Sequence, residues 1–244
     1  MALAGMTFNQ QVRGRRLAAL LALSMLPLLI ALYWSTHPTE GTAEIFFFDF
    51  SYIVYFQFVI PVVTLVIGTS LIRDEISSRM ISYLVTNACS RRQLVIGRIA
   101  GYAIPAFAVV AIPIIAAYVL VIGWNGTLGG SLAPLAILLL AAACGVMAYG
   151  TLYNLMGVYI KHPLMAGLLF AFIWETVLAN LPGRIPYATV SFYLHSLVAG
   201  LSDVGETGAW AGGTSVIWAL CALVFMTVVF TAATVRRFQK MDVV

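Results

Sequence analysis

Charge is what this sequence has least of. Only 9% of its 244 residues are Asp, Glu, Lys or Arg, where a soluble domain carries about 25%. Hydrophobic residues make up 62%, which excludes a soluble globular domain and implies a polytopic membrane protein. Other absences narrow the chemistry. There is no G-x-x-x-x-G-K-[ST] phosphate loop, so the chain does not bind and hydrolyse ATP by that means. No H-E-x-x-H run or cysteine–histidine cluster offers zinc ligands. The cysteines are Cys89, Cys144 and Cys221, an odd and scattered set that gives no disulfide framework. The histidines, His37, His162 and His195, lie outside the apolar runs or at their ends, so an embedded serine–histidine hydrolase is not expected. His37, Glu44, Asp49, His195, Asp203 and Glu206 share one side of the apolar runs but show no metal-ligand spacing. The chain is expected to be no enzyme and to hold no metal or cofactor of its own.

What is present is a series of long apolar runs, each near the ~20 residues that cross a bilayer. They predict an all-α protein with six transmembrane helices at about 17–36, 50–72, 99–122, 132–159, 163–180 and 214–235. Residues 1–16 read either as an interfacial helix leading into the membrane or as a disordered tail. The basic leader and apolar run resemble a signal peptide, but the run is too long and lacks a small-x-small cleavage site. It is expected to remain as the first span, within one domain over 17–244. The segment 37–49 reads as a loop. The aromatic cluster Phe46, Phe47, Phe48, Phe50, Tyr52 and Tyr55 is expected at the membrane–water interface. No charge occurs from Ile99 to Ile160, and GWNGTLGGS at 123–131 divides that stretch with turn residues. Between the last two spans, Tyr187–Leu201 is apolar but too short to cross, which predicts a re-entrant or interfacial segment.

Charge, though scarce, is placed unevenly. With the N-terminus inside, Arg13, Arg15, Arg16, Arg73, Arg79, Arg91, Arg92, Arg98, Lys161, Arg236, Arg237 and Lys240 all face the cytoplasm. Only Arg184 does not. The positive-inside rule therefore puts both termini in the cytoplasm. Seven charged residues fall between Arg73 and Arg98. Read as a helix, Ser78, Arg79, Ser82 and Thr86 share one side of this stretch, and Ile76, Met80, Tyr83 and Leu84 another. A surface helix and a plain solvated loop both fit that pattern. Glu175 is the one acid inside an apolar run. An ionisable group there marks a functional position by default. Three roles fit it: a structural partner such as a cap for the re-entrant segment, substrate or proton handling, or exposure at the outer interface. Gln57, Asn154 and Glu175 are candidates for a central cavity, a substrate path or a subunit interface, since polar side chains turn away from lipid.

The polar stretch resembles the cytoplasmic loop between spans 2 and 3 of ABC-2 type transporter permeases. In that family a Glu heads a short coupling helix, followed by a leucine-rich turn, a Ser-Arg pair and a Gly-Lys opening span 3. The matching residues are Glu75, Ile81–Val85, Ser90–Arg91 and Gly97–Arg98. The departures are Arg79–Met80 in place of Gly-Thr, Ala88 in place of Pro, and Arg98 in place of Lys. Glu175 with Asn180–Gly183 also resembles the end of span 5 and the outer segment of some members.

The resemblance implies the permease subunit of an ABC transporter in the cell membrane. It would export or flip an amphipathic or hydrophobic substrate. A second permease chain, identical or paralogous, and two ATP-binding cassette subunits would complete the assembly. ATP and Mg would sit in those subunits, and no nucleic acid is involved. Asp74, Glu75, Ser78, Arg79, Ser82 and Thr86 would meet the ATPase, while Arg91 and Arg92 would anchor the loop to anionic headgroups. The alternative is a secondary transporter or channel that works without ATP.

Overall fold

A computed structural model describes residues 15–37, 42–77, 91–123, 132–160, 162–178, 185–202 and 213–240. These are all-helical, with no strand among them. The first apolar run is α1 (Arg15–Met25) and α2 (Leu28–Thr36), broken at Leu26–Pro27. Proline there lacks an amide and crowds the preceding turn. The chain tightens around it, with Leu29 N–H donating to Leu26 O at 3.2 Å. The second run is α3 (Ala43–Phe50), a π-helical stretch Ser51–Val59, and α4 (Ile60–Ser77). The wide turns end just before Pro61, which has no N–H to return to the preceding turn. The third is α5 (Arg91–Tyr118) with a π turn at Val119–Gly123, and the fourth is α6 (Ala133–Tyr159). Then come α7 (Pro163–Leu169) with a π stretch Phe170–Val177, a 3₁₀ turn Ile185–Ala188, α8 (Val190–Leu201) and α9 (Val216–Lys240). Among the described residues, five helices are long and apolar enough to cross a membrane; Pro163–Glu175 and Val190–Leu201 are shorter apolar helices.

Two boundaries differ from the sequence reading. The segment expected to be a loop up to residue 49 is helical from Ala43. Thr42 caps it, its Oγ1 accepting from the Ile45 amide at 3.4 Å, and Glu44 favours the first turn. The aromatic cluster expected at the water interface is largely protein core instead. Phe47 and Phe48 are 0% and 1% exposed. Phe46 stacks on Trp34 at 4.2 Å, and Phe47 meets Tyr118 edge-on at 5.5 Å. The ends of α2 and α5 lean over these rings and take them from the surface.

Side-chain contacts fix the relative directions of the helices. Ser24 Oγ donates to Val109 O at 3.1 Å and Ser35 Oγ to Leu120 O at 2.8 Å. Both bonds join residues 85 apart, so the first and third runs lie parallel. Val109 is the carbonyl that Pro113 leaves without its helical donor, and Ser24 supplies that donor from the neighbouring helix. Phe47–Tyr118 and Tyr55–Pro113 set the second run antiparallel to the third. Gly145 lies against Ile60 and Gly157 against Thr69, so the second and fourth runs are parallel. Arg237 lies over the ring of Tyr159, which brings the end of α9 to the end of α6. The start of α1, the end of α4, the start of α5, and the ends of α6 and α9 therefore share one end of the bundle.

The crossings of α6 with α4 and with α5 are close because glycine permits them. Gly68 faces the Gly150 carbonyl, and a methyl added at Gly150 would overlap the ring and hydroxyl of Tyr102. Small residues of this kind let membrane helices approach where side-chain packing must supply the attraction. Gly150→Ala should therefore cost about 1–3 kcal/mol by overpacking, read as a lower unfolding temperature in detergent. Gly157→Ala is the control: its new methyl would find its nearest neighbour, Thr69 Cα, at an ordinary 3.7 Å. Equal losses in the two variants would show that the Tyr102 contact does not set the spacing.

Candidate functional site

The backbone of α8 begins inside the bundle, where its first amides have no water to meet. A helix leaves its first four N–H groups without intrahelical partners, and here all four can be accounted for. Thr189, the N-cap, donates its amide to Pro186 O at 2.9 Å. Its Oγ1 accepts from Phe192 N–H at 3.2 Å. The remaining two amides, Val190 and Ser191, donate to Glu175, to Oε1 at 3.1 Å and Oε2 at 2.9 Å. Tyr149 Oη donates to Oε2 at 2.7 Å. The carboxylate comes from the π stretch of the fifth run, the phenol from α6, and the amides from the segment that follows.

Glu175 is 2% exposed, so it is not an interfacial acid. Burying a carboxylate is costly unless it is paired or fully hydrogen-bonded. Three donors and the positive end of the α8 dipole supply that compensation without any cation. Its depth follows from helix rise: Tyr149 lies ten residues before Tyr159, and Glu175 twelve after Pro163. At ~1.5 Å per residue both are roughly 15–18 Å from the basic end, near the middle of a ~30 Å hydrocarbon layer. Leu194 packs one turn of α6 away, against Gly145. From its cap α8 therefore runs antiparallel to α6, away from the basic end, as a half-helix.

Further bonds hold the half-helix in place. Trp174 Nε1 donates to Ala188 O at 3.2 Å. Tyr52 Oη and Ser191 Oγ are 3.2 Å apart, and the Tyr52 ring meets His195 edge-on at 5.0 Å. Midway along it, Ser196 Oγ accepts from the Thr214 amide at 3.1 Å. The second, fourth, fifth and sixth apolar runs all reach this one segment.

The other candidates do not join this cluster. Asn154 is buried on α6, where its Nδ2 donates to Gly150 O at 2.8 Å. Gln57 is half-buried in the π stretch of the second run. The backbones of Asp74 and Glu75 belong to the last turns of α4, and those of Arg91 and Arg92 open α5; their side chains lie outside the described residues. Ser78, Arg79, Ser82 and Thr86 lie outside them altogether. Sequence reasoning missed Tyr149, Thr189 and Tyr52. Thr189, after Pro186 and before an apolar helix, carried a cap signal that was available. Tyr149, in an uncharged run, carried none.

Removing the carboxylate by Glu175→Ala should leave two amides and a phenol without an acceptor, at about 1–3 kcal/mol for each orphan. The unfolding temperature should fall sharply and hydrogen exchange at Val190 and Ser191 should accelerate. Tyr149→Phe, which leaves both amides capped, should cost only about 0.5–1.5 kcal/mol. Unchanged exchange at those two amides in Glu175→Ala would refute the cap.

In comparisons with known proteins, residues 14–177 match a family profile described as "ABC-2 family transporter protein". The matched stretch includes Glu175 and ends before α8. No curated protein matches the chain.

Proposed function

Because this chain belongs to the ABC-2 transporter family, as a multi-pass membrane permease component of an ABC transporter, we propose that it exports or flips an amphipathic or hydrophobic substrate in the cell membrane. The work comes from ATP, bound with Mg and hydrolysed in two separate cassette subunits. The family match is the observation that carries this reading. The missing phosphate loop supports it, since a permease without a nucleotide site must receive work from a partner. In this reading the chain crosses six times, the run from Pro163 being the fifth, and the basic end of the bundle faces the cytoplasm, as the positive-inside rule favours.

A second permease chain completes the pore. Asp74, Glu75, Ser78, Arg79, Ser82 and Thr86 receive the cassette, and Arg91–Arg92 hold the loop to anionic headgroups. Closure of the cassettes on ATP shifts the second and fifth runs as rigid bodies. Those two runs touch at Phe58–Phe172 and Leu65–Gly167, so a push on the end of α4 reaches the helix that carries Glu175. An ATP-independent carrier would need an ion ligand at mid-membrane. The acid at that depth already accepts three bonds, which counts against that alternative.

The test is reconstitution with the cognate ATPase. Glu75→Ala and Arg79→Glu should each lower ATP-driven transport by about tenfold, the loss of a contact worth ~1.4 kcal/mol, while the permease remains folded. Unimpaired coupling in both variants would remove the docking role from this loop. Substrate uptake into liposomes lacking nucleotide would favour the carrier instead.

A further inference from the structure

At the basic end of the bundle, α6 and α9 enclose a hollow of about 570 Å³ lined by Tyr159, Val229, Ala232, Ala233, Arg236 and Arg237. The five α9 residues fall at i, i+3, i+4, i+7 and i+8, one stripe of a helix. Ala232 and Ala233 withhold the side-chain volume that would fill the space. The floor is therefore apolar and the rim carries two guanidiniums, with no carboxylate in the lining among the described residues. Arg237 is drawn over the hollow, its Cζ 5.1 Å from the centroid of the Tyr159 ring, a cation–π contact that orients the guanidinium while leaving its N–H groups available. From Arg237 back to Val229 the stripe runs eight residues, about 12 Å, from headgroup level into the hydrocarbon. Its neighbours on α9, Phe225 and Val228, are exposed, so the hollow opens sideways to the bilayer.

We propose that this hollow is a binding site for one anionic phospholipid, its phosphate held by Arg236 and Arg237 and its upper acyl chain laid along Val229, Ala232 and Ala233. Charge and shape together select that occupant. A free phosphate would use the guanidiniums and leave the apolar floor unused, and a zwitterionic lipid would fit the floor but bring its own cation to the rim. Arg's fork matches phosphate oxygens in a bidentate way that a lysine cannot. The site is separate from the polar stretch Arg73–Arg98 and does not depend on how the ATPase docks.

Native mass spectrometry of the full chain in detergent tests this directly. Phosphatidylglycerol, phosphatidylcholine of the same acyl chains, and inorganic phosphate are added separately. Phosphatidylglycerol should be retained as one copy per chain, at least about tenfold more tightly than phosphatidylcholine, given the strength of basic residues toward anionic lipid. Arg236→Gln with Arg237→Gln should abolish that preference. Arg13→Gln with Arg15→Gln, which removes equal charge elsewhere in the chain, should leave it intact. Tyr159→Leu keeps both arginines but loses the ring that positions one, and should weaken retention in part. Equal retention of the two lipids, an unchanged preference in the Arg236/Arg237 variant, or displacement of the lipid by inorganic phosphate would each overturn the assignment. If the double variant does not fold, the Tyr159→Leu result alone decides, unchanged retention counting against the site.

Discussion

The constraint on which the rest depends is that hydrocarbon offers nothing to an orphaned backbone group. In water a broken helix can leave its free amides and carbonyls to solvent; in a bilayer each must be met by the protein. This chain interrupts its regular helical bonding repeatedly, by the break at Pro27, the π stretch before Pro61, the amide lost at Pro113 inside α5 and the separate start of α8. Some of those breaks are repaired by a named side chain from a neighbouring element. Ser24 meets the carbonyl that Pro113 frees, and Ser35 meets Leu120 in the π turn. Glu175 meets two amides of α8. The repairs are also the tertiary bonds, so the irregularities that weaken single helices tie the bundle together.

Viewed this way, Glu175 differs from the usual intramembrane acid. Such a group commonly pairs with a cation or lines a water-filled path. Here a helix terminus replaces the cation, and a tyrosine supplies the third bond. A terminus cannot move apart from its helix, so the carboxylate and α8 form one unit. The fifth run carries that unit and also contacts the second run, which leads down to the polar stretch.

Much of this was legible in the sequence, for reasons that differ by element. Apolar length and the asymmetry of Lys and Arg revealed the helical membrane class and the short segment before the last run, because bilayer thickness acts on composition directly. Glu175 stood out because a lone acid in an apolar run has few explanations, and capping was among those considered. Its partners did not stand out. Tyr149 lies among residues that look alike, and an amide leaves no mark in a sequence. The aromatic cluster misled because Phe47 and Phe48 have the composition of an interface belt, while long-range packing by Trp34 and Tyr118 decides where they lie. For Ser78 and Arg79 the helical pattern put both on one polar side, and only the resemblance suggested what that side would meet.

The fifth run has a consequence that concerns the bilayer more than the protein. Its π-helical and α-helical part, Pro163–Val177, is fifteen residues, about 22 Å of helix, against a hydrocarbon layer near 30 Å. Its outer side presents Met165, Leu169, Phe172 and Ile173. On the proposed reading of this run as the fifth crossing, a membrane meeting so short an apolar wall would thin, or be relieved of contact with it when two such walls adjoin. Each ångström of mismatch is a small energy, but it is drawn from the lipid and scales with membrane thickness. Bilayer thickness would then be a variable that this face senses, and pairing of short faces one way for the membrane to relax.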